Sequence, residues 1–148
     1  GCYPQSYARM ILGEEPLEGF GWQVEGPGGI DESFHGQMRF GNGVHMQFDC
    51  GFKSHPRSYM EIVGTEGVLY IPQPFKPGLK TEIQLTRGDE QKRIHIKGSE
   101  LYLGEVEDMC EAAIDGNTPR ISLADSRANI AAILRLLESA RTGKPLQM

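Results

Sequence analysis

Tyr3 holds the most chemical promise in this sequence, in the opening run Gly1-Cys2-Tyr3-Pro4-Gln5-Ser6-Tyr7. A phenol can give or take a proton and can both donate and accept hydrogen bonds. The residues around it spell a short helix. Pro4 suits a first helical turn, where its missing N–H is no loss. Gly13 supplies a left-handed stop, and Pro16 prevents the helix from resuming. Tyr7, Met10 and Ile11 fall on one helical face and are expected to be its buried side. Tyr3 would then sit on the lip of a buried helix, on a rigid backbone, able to project into a cleft. A capping or packing tyrosine is the plainer reading of the same pattern.

Other candidate groups resolve into structure rather than chemistry. His45, Gln47 and Asp49 alternate along one run and share a face, but Gln is a poor transition-metal ligand and no further His or Cys lies near in sequence. Gly26-Pro27-Gly28-Gly29 is glycine-rich like a phosphate loop, yet no helix start follows and Pro27 removes an N–H, so it reads as a turn. Arg87-Gly88-Asp89 reads as a hairpin tip. Cys2, Cys50 and Cys110 are odd in number, widely spaced and without a C-x-x-C, which points to reduced thiols in a cytosolic protein. No metal site is expected. The sequence holds no Ser–His–Asp pattern, no Walker loop and no G-x-G-x-x-G after a strand.

The elements that must position Tyr3 follow from periodicity. Trp22 and Val24 lie in a short strand. Phe34, Met38 and Phe40 alternate with Gly36 in phase, and Gly41-Asn42-Gly43 reverses the chain. Val44, Met46, Phe48, Cys50 and Phe52 alternate most cleanly and predict a strand with one buried face. Arg57 to Val63, then Val68 to Ile71 across Gly64-Thr65-Glu66-Gly67, form a hairpin. Three prolines between Pro72 and Pro77 take the chain out of the sheet. Leu79 to Leu85 and Lys92 to Ile96 pair across Arg87-Gly88-Asp89-Glu90. Two helices follow. One has Val106, Met109, Cys110, Ala113 and Ile114 on one face and stops at Gly116. The other starts at Ser122-Leu123-Ala124-Asp125, a capping box with Asp in the usual Glu place, and presents Ala128, Ala131, Ile133, Leu134, Leu137 and Ala140. The fold class is therefore α+β: an open, largely antiparallel sheet of about six to seven strands with helices on one face.

At 148 residues the chain has room for one domain with a real core, here expected to span 1–148. A net charge of −5 argues against nucleic acid or an anionic membrane as a main partner. No apolar run approaches the roughly 20 residues of a membrane-spanning helix. The chain starts without Met and inside a motif, so it is expected to be a piece of a longer protein. Tyr59 and Val63, with Tyr70 on the next strand, would leave apolar area on the open sheet face, the mark of a homodimer interface.

A family resemblance gathers these features. Gly1-x-Tyr3 followed by Arg9 and Leu12-Gly13-Glu14-Glu15-Pro16 resembles the start of the C-terminal domain of the glucose–fructose oxidoreductase / inositol dehydrogenase / MocA family. Glu61-Ile62-x-Gly64-Thr65-Glu66-Gly67-x-Leu69-x-Ile71-Pro72 with Pro74-Phe75 agrees, as does Ser122-Leu123-x-Asp125-Ser126 with Ser139-Ala140-x-x-Gly143-x-Pro145. The resemblance implies a fold like the C-terminal domain of glyceraldehyde-3-phosphate dehydrogenase. It also implies an N-terminal Rossmann domain, absent from this chain, that binds NAD or NADP and carries a lysine beside the nicotinamide. Many members have Gly-x-His-x-x-Asp where this chain has Gly1-Cys2-Tyr3-Pro4-Gln5-Ser6. Tyr3 for His and Ser6 for Asp resemble the Gly-x-Tyr branch of dihydrodiol and sugar dehydrogenases.

That substitution makes chemical sense. Oxidising a carbinol by hydride transfer also requires loss of its hydroxyl proton. A tyrosine beside an ammonium group has its phenolate stabilised and serves as a general base, or as a general acid in the reverse direction. The resemblance thus implies catalysis by Tyr3, substrate binding by Ser6 and Tyr102, and pairing of two copies through the open sheet. It implies an NAD(P)-dependent oxidoreductase acting on the CH–OH group of a sugar, polyol or diol, with no turnover and no bound cofactor expected of this chain alone. A non-catalytic module recognising a sugar-like ligand is the alternative on the same scaffold.

Overall fold

A computed structural model describes all residues from Gly1 to Met148. The chain divides into two units, residues 1–55 with 121–148 and residues 56–120. The first contains helix α1 (Cys2–Leu12), strands β1 (Glu18–Glu25), β2 (Asp31–Arg39) and β3 (His45–Gly51), helix α3 (Leu123–Thr142) and the short strand β8 (Leu146–Gln147). The second contains β4 (Met60–Gly64), β5 (Gly67–Ile71), β6 (Lys80–Arg87), β7 (Glu90–Lys97) and helix α2 (Leu103–Asp115). The fold is α+β, as expected, and every strand pair is antiparallel. The strand count differs: eight strands form two four-stranded sheets, ordered β3-β2-β1-β8 and β4-β5-β6-β7. The extra strand is β8, a two-residue piece that pairs with Glu18 and Gly19 and is too short to show a period of its own.

In the first unit, alternation along β2 buries Phe34, Gly36, Met38 and Phe40 on one face. Phe34, Met38 and Phe40 join Ala132 and Leu136 of α3 as the core, with Leu12, Met46 and Phe48 among the partly buried residues around them. Two glycines let α3 come so close. A Cβ at Gly21 would lie 2.7 Å from the Phe34 ring and 2.8 Å from the Leu136 carbonyl oxygen, and one at Gly19 would lie 3.0 Å from Leu136 Cδ2. Beyond the short β8 pairing, the Gly21 N–H donates to Ser139 Oγ (3.2 Å), which donates to the Lys144 carbonyl (2.6 Å). A helix hydroxyl thus satisfies a strand donor that would otherwise be buried unpaired. The other face of β1 stays open, with Trp22 and Val24 exposed.

The helix stops are those the sequence indicates: Gly13, Gly116 and Gly143 are all left-handed. Ser122 caps α3, its Oγ accepting the Asp125 N–H at 3.0 Å. The β1–β2 connection runs through Gly26-Pro27-Gly28-Gly29, and Gly88 takes a positive φ at the tip between β6 and β7.

Three expectations about faces need correction. Met10 and Ile11 of α1 are exposed and Tyr7 is only half-buried; the buried residues of that helix are Gln5 and Arg9. Hydrophobicity alone mis-set the phase because both polar side chains find partners on α3. In α3 itself, Ala131 and Leu134 are exposed, and the buried line runs through Ala132, Leu136 and Ser139. An apolar stripe this wide does not fix its own centre; Gly19, Gly21 and the Gly21 N–H do. In α2, Val106, Met109 and Ile114 are exposed, and no residue of the helix is fully buried. The strand beginning near Arg57 is also shorter, starting at Met60.

Candidate functional site

Tyr3 is the second residue of α1, in the turn whose N–H groups have no intrahelical partners, and it is 55% exposed. Ser6 lies three residues on and is half-buried. The spacing puts both on one side of the helix, with Tyr7 beside them and Met10 a turn further. This is the open side of α1. The opposite side carries Gln5 and Arg9, at 0% and 6% exposure.

Those two side chains dock α1 onto the first turns of α3. Gln5 Nε2 donates to the Asn129 carbonyl (2.8 Å) and to Asn129 Oδ1 (3.1 Å). Arg9 Nη2 donates to Asp125 Oδ1 at 2.9 Å. On its other flank, Arg9 Nε and Nη2 form a two-bond fork onto Glu15, both at 2.7 Å. Arg9 is therefore gripped by a carboxylate from α3 and one from the loop that follows α1. The Glu15 hydrogen bond holds the Arg9 guanidinium firmly protonated, against the opposing effect of burial, and the same bond keeps the Glu15 carboxyl below the ordinary carboxylate range. Gln5 Oε1 and Arg9 Nη1 are buried without hydrogen-bond partners.

The sequence singled out Arg9 through its motif but gave no sign of Gln5 or Asn129. A polar residue at a helical spacing looks solvent-facing until its partner is known. Glu15 and Asp125 both stand in the quoted motifs, although their convergence on one guanidinium appears only in three dimensions.

A small apolar cleft of about 150 Å³ opens at the start of α1. Gly1 and Cys2, which precede Tyr3, line it with Phe34, Phe48, Cys50 and Leu137 among others. A Cβ on Gly1 would lie 3.4 Å from the Phe48 ring, so the helix begins tight against β3. All three cysteines are free thiols. His45, Gln47 and Asp49 lie on the exposed face of β3, and no three His, Cys, Asp or Glu residues converge to hold a metal ion. No helix is long and apolar enough to cross a membrane.

Tyr102 belongs to the second unit, and the structure describes it there. It occupies the position before α2 with φ 70° and ψ −6°, and its side chain makes no cap hydrogen bond to the helix. A tyrosine in the left-handed region costs roughly 1 kcal/mol, which is why glycine usually fills such sites. Its side chain is 54% exposed.

Comparisons with known proteins agree on one family. Residues 1–70 match the model of the GFO/IDH/MocA C-terminal domain. No curated protein matches the sequence. Among solved structures, the chain superposes on aldose–aldose oxidoreductase from Caulobacter crescentus, complexed with glycerol, at TM-score 0.84 and 16% identity, covering 100% of this chain and 46% of that one. It also superposes on KijD10, a 3-ketoreductase from Actinomadura kijaniata solved with TDP-benzene and NADP, at TM-score 0.87 and 18% identity, covering 94% and 45%. A third match is an oxidoreductase from Agrobacterium radiobacter in complex with NAD+, L-tartaric acid and magnesium, at TM-score 0.77 and 16% identity, covering 99% and 47%. The chain thus spans a little under half the length of the solved structures it matches. The family read from the sequence is the one found: residues 1–70 carry the GFO/IDH/MocA C-terminal domain, and the chain has the α+β fold of that domain in these oxidoreductases.

Proposed function

We propose that this chain is the substrate-binding and oligomerisation part of a cytosolic NAD(P)-dependent oxidoreductase acting on the CH–OH group of a sugar, polyol or diol. One observation carries the reading: Tyr3, at the Gly-x-Tyr position of the family, stands on the open side of a helix whose opposite side is anchored by Gln5 and Arg9. The named relatives support the chemistry. One is an aldose–aldose oxidoreductase and another a 3-ketoreductase with NADP, solved both with a tyrosine replaced by phenylalanine and with a lysine replaced by alanine.

The cofactor belongs to a nucleotide-binding domain outside this chain, and when bound it accepts or supplies the hydride. Tyr3 takes the proton of the substrate hydroxyl during oxidation and returns it during reduction. A lysine of that other domain lies beside Tyr3 and stabilises its phenolate. Ser6, on the same side of α1, donates a hydrogen bond to the substrate. Tyr102 is a second substrate contact, and its strained backbone is consistent with a conformation kept for function. The chain alone neither turns over substrate nor binds NAD(P); micromolar NADPH affinity would overturn this.

The assembly is a homodimer through the open face of the β4–β7 sheet. On that face the Tyr59 and Tyr70 rings lie 5.8 Å apart and Val63 is 73% exposed. Light scattering should give a dimer, and a monomer at high concentration would count against it.

The catalytic reading is tested on the full-length protein, screened with NAD and NADP against aldoses, inositols and dihydrodiols. Tyr3→Phe should lower kcat about a hundredfold. Unchanged turnover would make Tyr3 a packing residue.

A further inference from the structure

We infer that Gln5 and Arg9 are positioning residues that fix the rotation of α1 and so the direction in which Tyr3 points. The inference rests on the proposed role of Tyr3.

Gln5 and Arg9 are four residues apart and therefore on one face of α1. Their partners on α3, Asn129 and Asp125, are also four apart and therefore on one face of that helix. The pairing is crossed in sequence: Gln5 meets Asn129 and Arg9 meets Asp125. The two helices thus run antiparallel and are joined by two polar rungs about 6 Å apart. One rung would permit pivoting. Two rungs, each with a fixed donor and a fixed acceptor, set both the rotation of α1 and its position along α3. The donor in the first rung is unambiguous, because a backbone carbonyl accepts from Gln5 Nε2.

Apolar contact does not supply this constraint. The remaining residues of α1 that pack on the core, Ala8 and Leu12, are only partly buried, and Met10 and Ile11 face outward. Such contacts tolerate a helix turned by a few tens of degrees, whereas a lost hydrogen bond inside a buried contact does not. Setting register is the best-attested use of buried polar groups. Tyr3 lies half a turn before the first rung and on the other side of the helix, so rotation about α1 moves its hydroxyl directly.

The ladder also leaves Gln5 Oε1 buried without a partner. A side chain selected for stability alone would not retain an unpaired acceptor there, since an apolar residue of the same length fits as well. That orphan atom makes a clean test possible.

In the full-length oxidoreductase, Gln5→Met removes the rung and the orphan acceptor together. Its melting temperature should stay near that of the wild type. Its kcat should fall about tenfold with little change in KM, as expected for a misdirected catalytic group. Combined with Tyr3→Phe, Gln5→Met should lower kcat no further, because the group it directs is already gone. A wild-type kcat in Gln5→Met, or a fall that persists undiminished in the Tyr3→Phe background, overturns the inference while the role of Tyr3 stands. Should Tyr3→Phe alone leave kcat unchanged, the proposed function fails and the inference fails with it. Arg9→Lys keeps the charge, loses the fork and reads out the same way if Gln5→Met does not fold.

Discussion

The two sheets carry the same kind of strands and bury them to very different depths. In the first, β2 places Phe34 and Met38 at 5% and 2% exposure beneath α3. In the second, Ile62, Leu69, Ile83, Leu85 and Ile94 share one face through the β4–β7 register, yet each is only half-buried. Pro74 is the one fully buried residue of that unit. Alternation is equally clean in both, so alternation is not what makes a core. The first sheet has glycines where a helix must land, and the helix presents small residues, Ala132 and Ser139, to meet them. In the second unit α2 has an apolar stripe but no buried residue. A two-residue period tells which face is apolar; the depth of burial depends on whether something of matching relief rests on it.

Truncating a side chain in each sheet layer sharpens this contrast most. Leu136→Ala, in the first unit, should cost about 3 kcal/mol in urea denaturation, from lost transfer energy plus the cavity left behind. Ile83→Ala, in the second, should cost about 1 kcal/mol, because part of that side chain already meets water. Equal losses would break the comparison, showing that the β6 face is covered in solution as fully as the core of the first unit.

Glycine relief gives the next largest effect. The Cβ of Gly21→Ala meets the Leu136 carbonyl, which belongs to helix backbone and cannot swing aside. The cost should be about 2 kcal/mol. Gly28→Ala meets nothing within 4 Å and should stay within about 0.5 kcal/mol of wild type. Thermal denaturation of the pair separates a glycine needed for close approach from one that merely occupies a turn.

Much of this was legible in the sequence, and the divide between read and missed is physical. Helix stops at Gly13, Gly116 and Gly143, the Ser122 cap and the hairpin turns were read correctly, because each depends on the local chain. The azimuths of α1 and α3 were not, because each depends on a partner more than a hundred residues away in sequence. The Gln5–Asn129 and Gly21–Ser139 contacts are of this kind. β8 escaped notice because two residues carry no period. For the candidate site, the resemblance supplied Tyr3, Ser6 and Tyr102. The structure places the first two on one side of α1 and Tyr102 in the other unit, and the rungs behind Tyr3 came from the structure alone.

The starts of α3 and α2 offer a smaller contrast. Ser122 is extended and its hydroxyl caps α3, so Ser122→Ala should destabilise by about 1 kcal/mol. Tyr102 is left-handed and caps nothing within α2, so Tyr102→Gly should stabilise by up to about 1 kcal/mol by relieving the backbone. If Tyr102 contacts substrate as proposed, the same variant raises KM in the full-length enzyme. A gain in stability with a loss of binding is the signature of strain held for function. Neither effect appearing would reduce Tyr102 to a surface residue in an uncommon conformation.

The smallest expected effect concerns the loop carboxylate on the Arg9 clamp. Glu15 has its carboxyl pKa depressed in the folded state, chiefly by the Arg9 hydrogen bond. A depressed carboxyl adds stability that is fully present above its unfolded-state value and is lost as pH falls through the folded-state value. Arg9 adds no slope in this range, since its own shift is upward from a value already far above neutral. The Glu15 side chain is 58% exposed, so solvent screening keeps its contribution below about 1 kcal/mol despite the short fork. Glu15→Gln should therefore cost several tenths of a kcal/mol at pH 7 and nothing measurable near pH 3, where the wild-type carboxyl is protonated as well. The two stability–pH curves should converge on acidification. Parallel curves would mean that Asp125 alone holds Arg9, with Glu15 an onlooker at the end of α1.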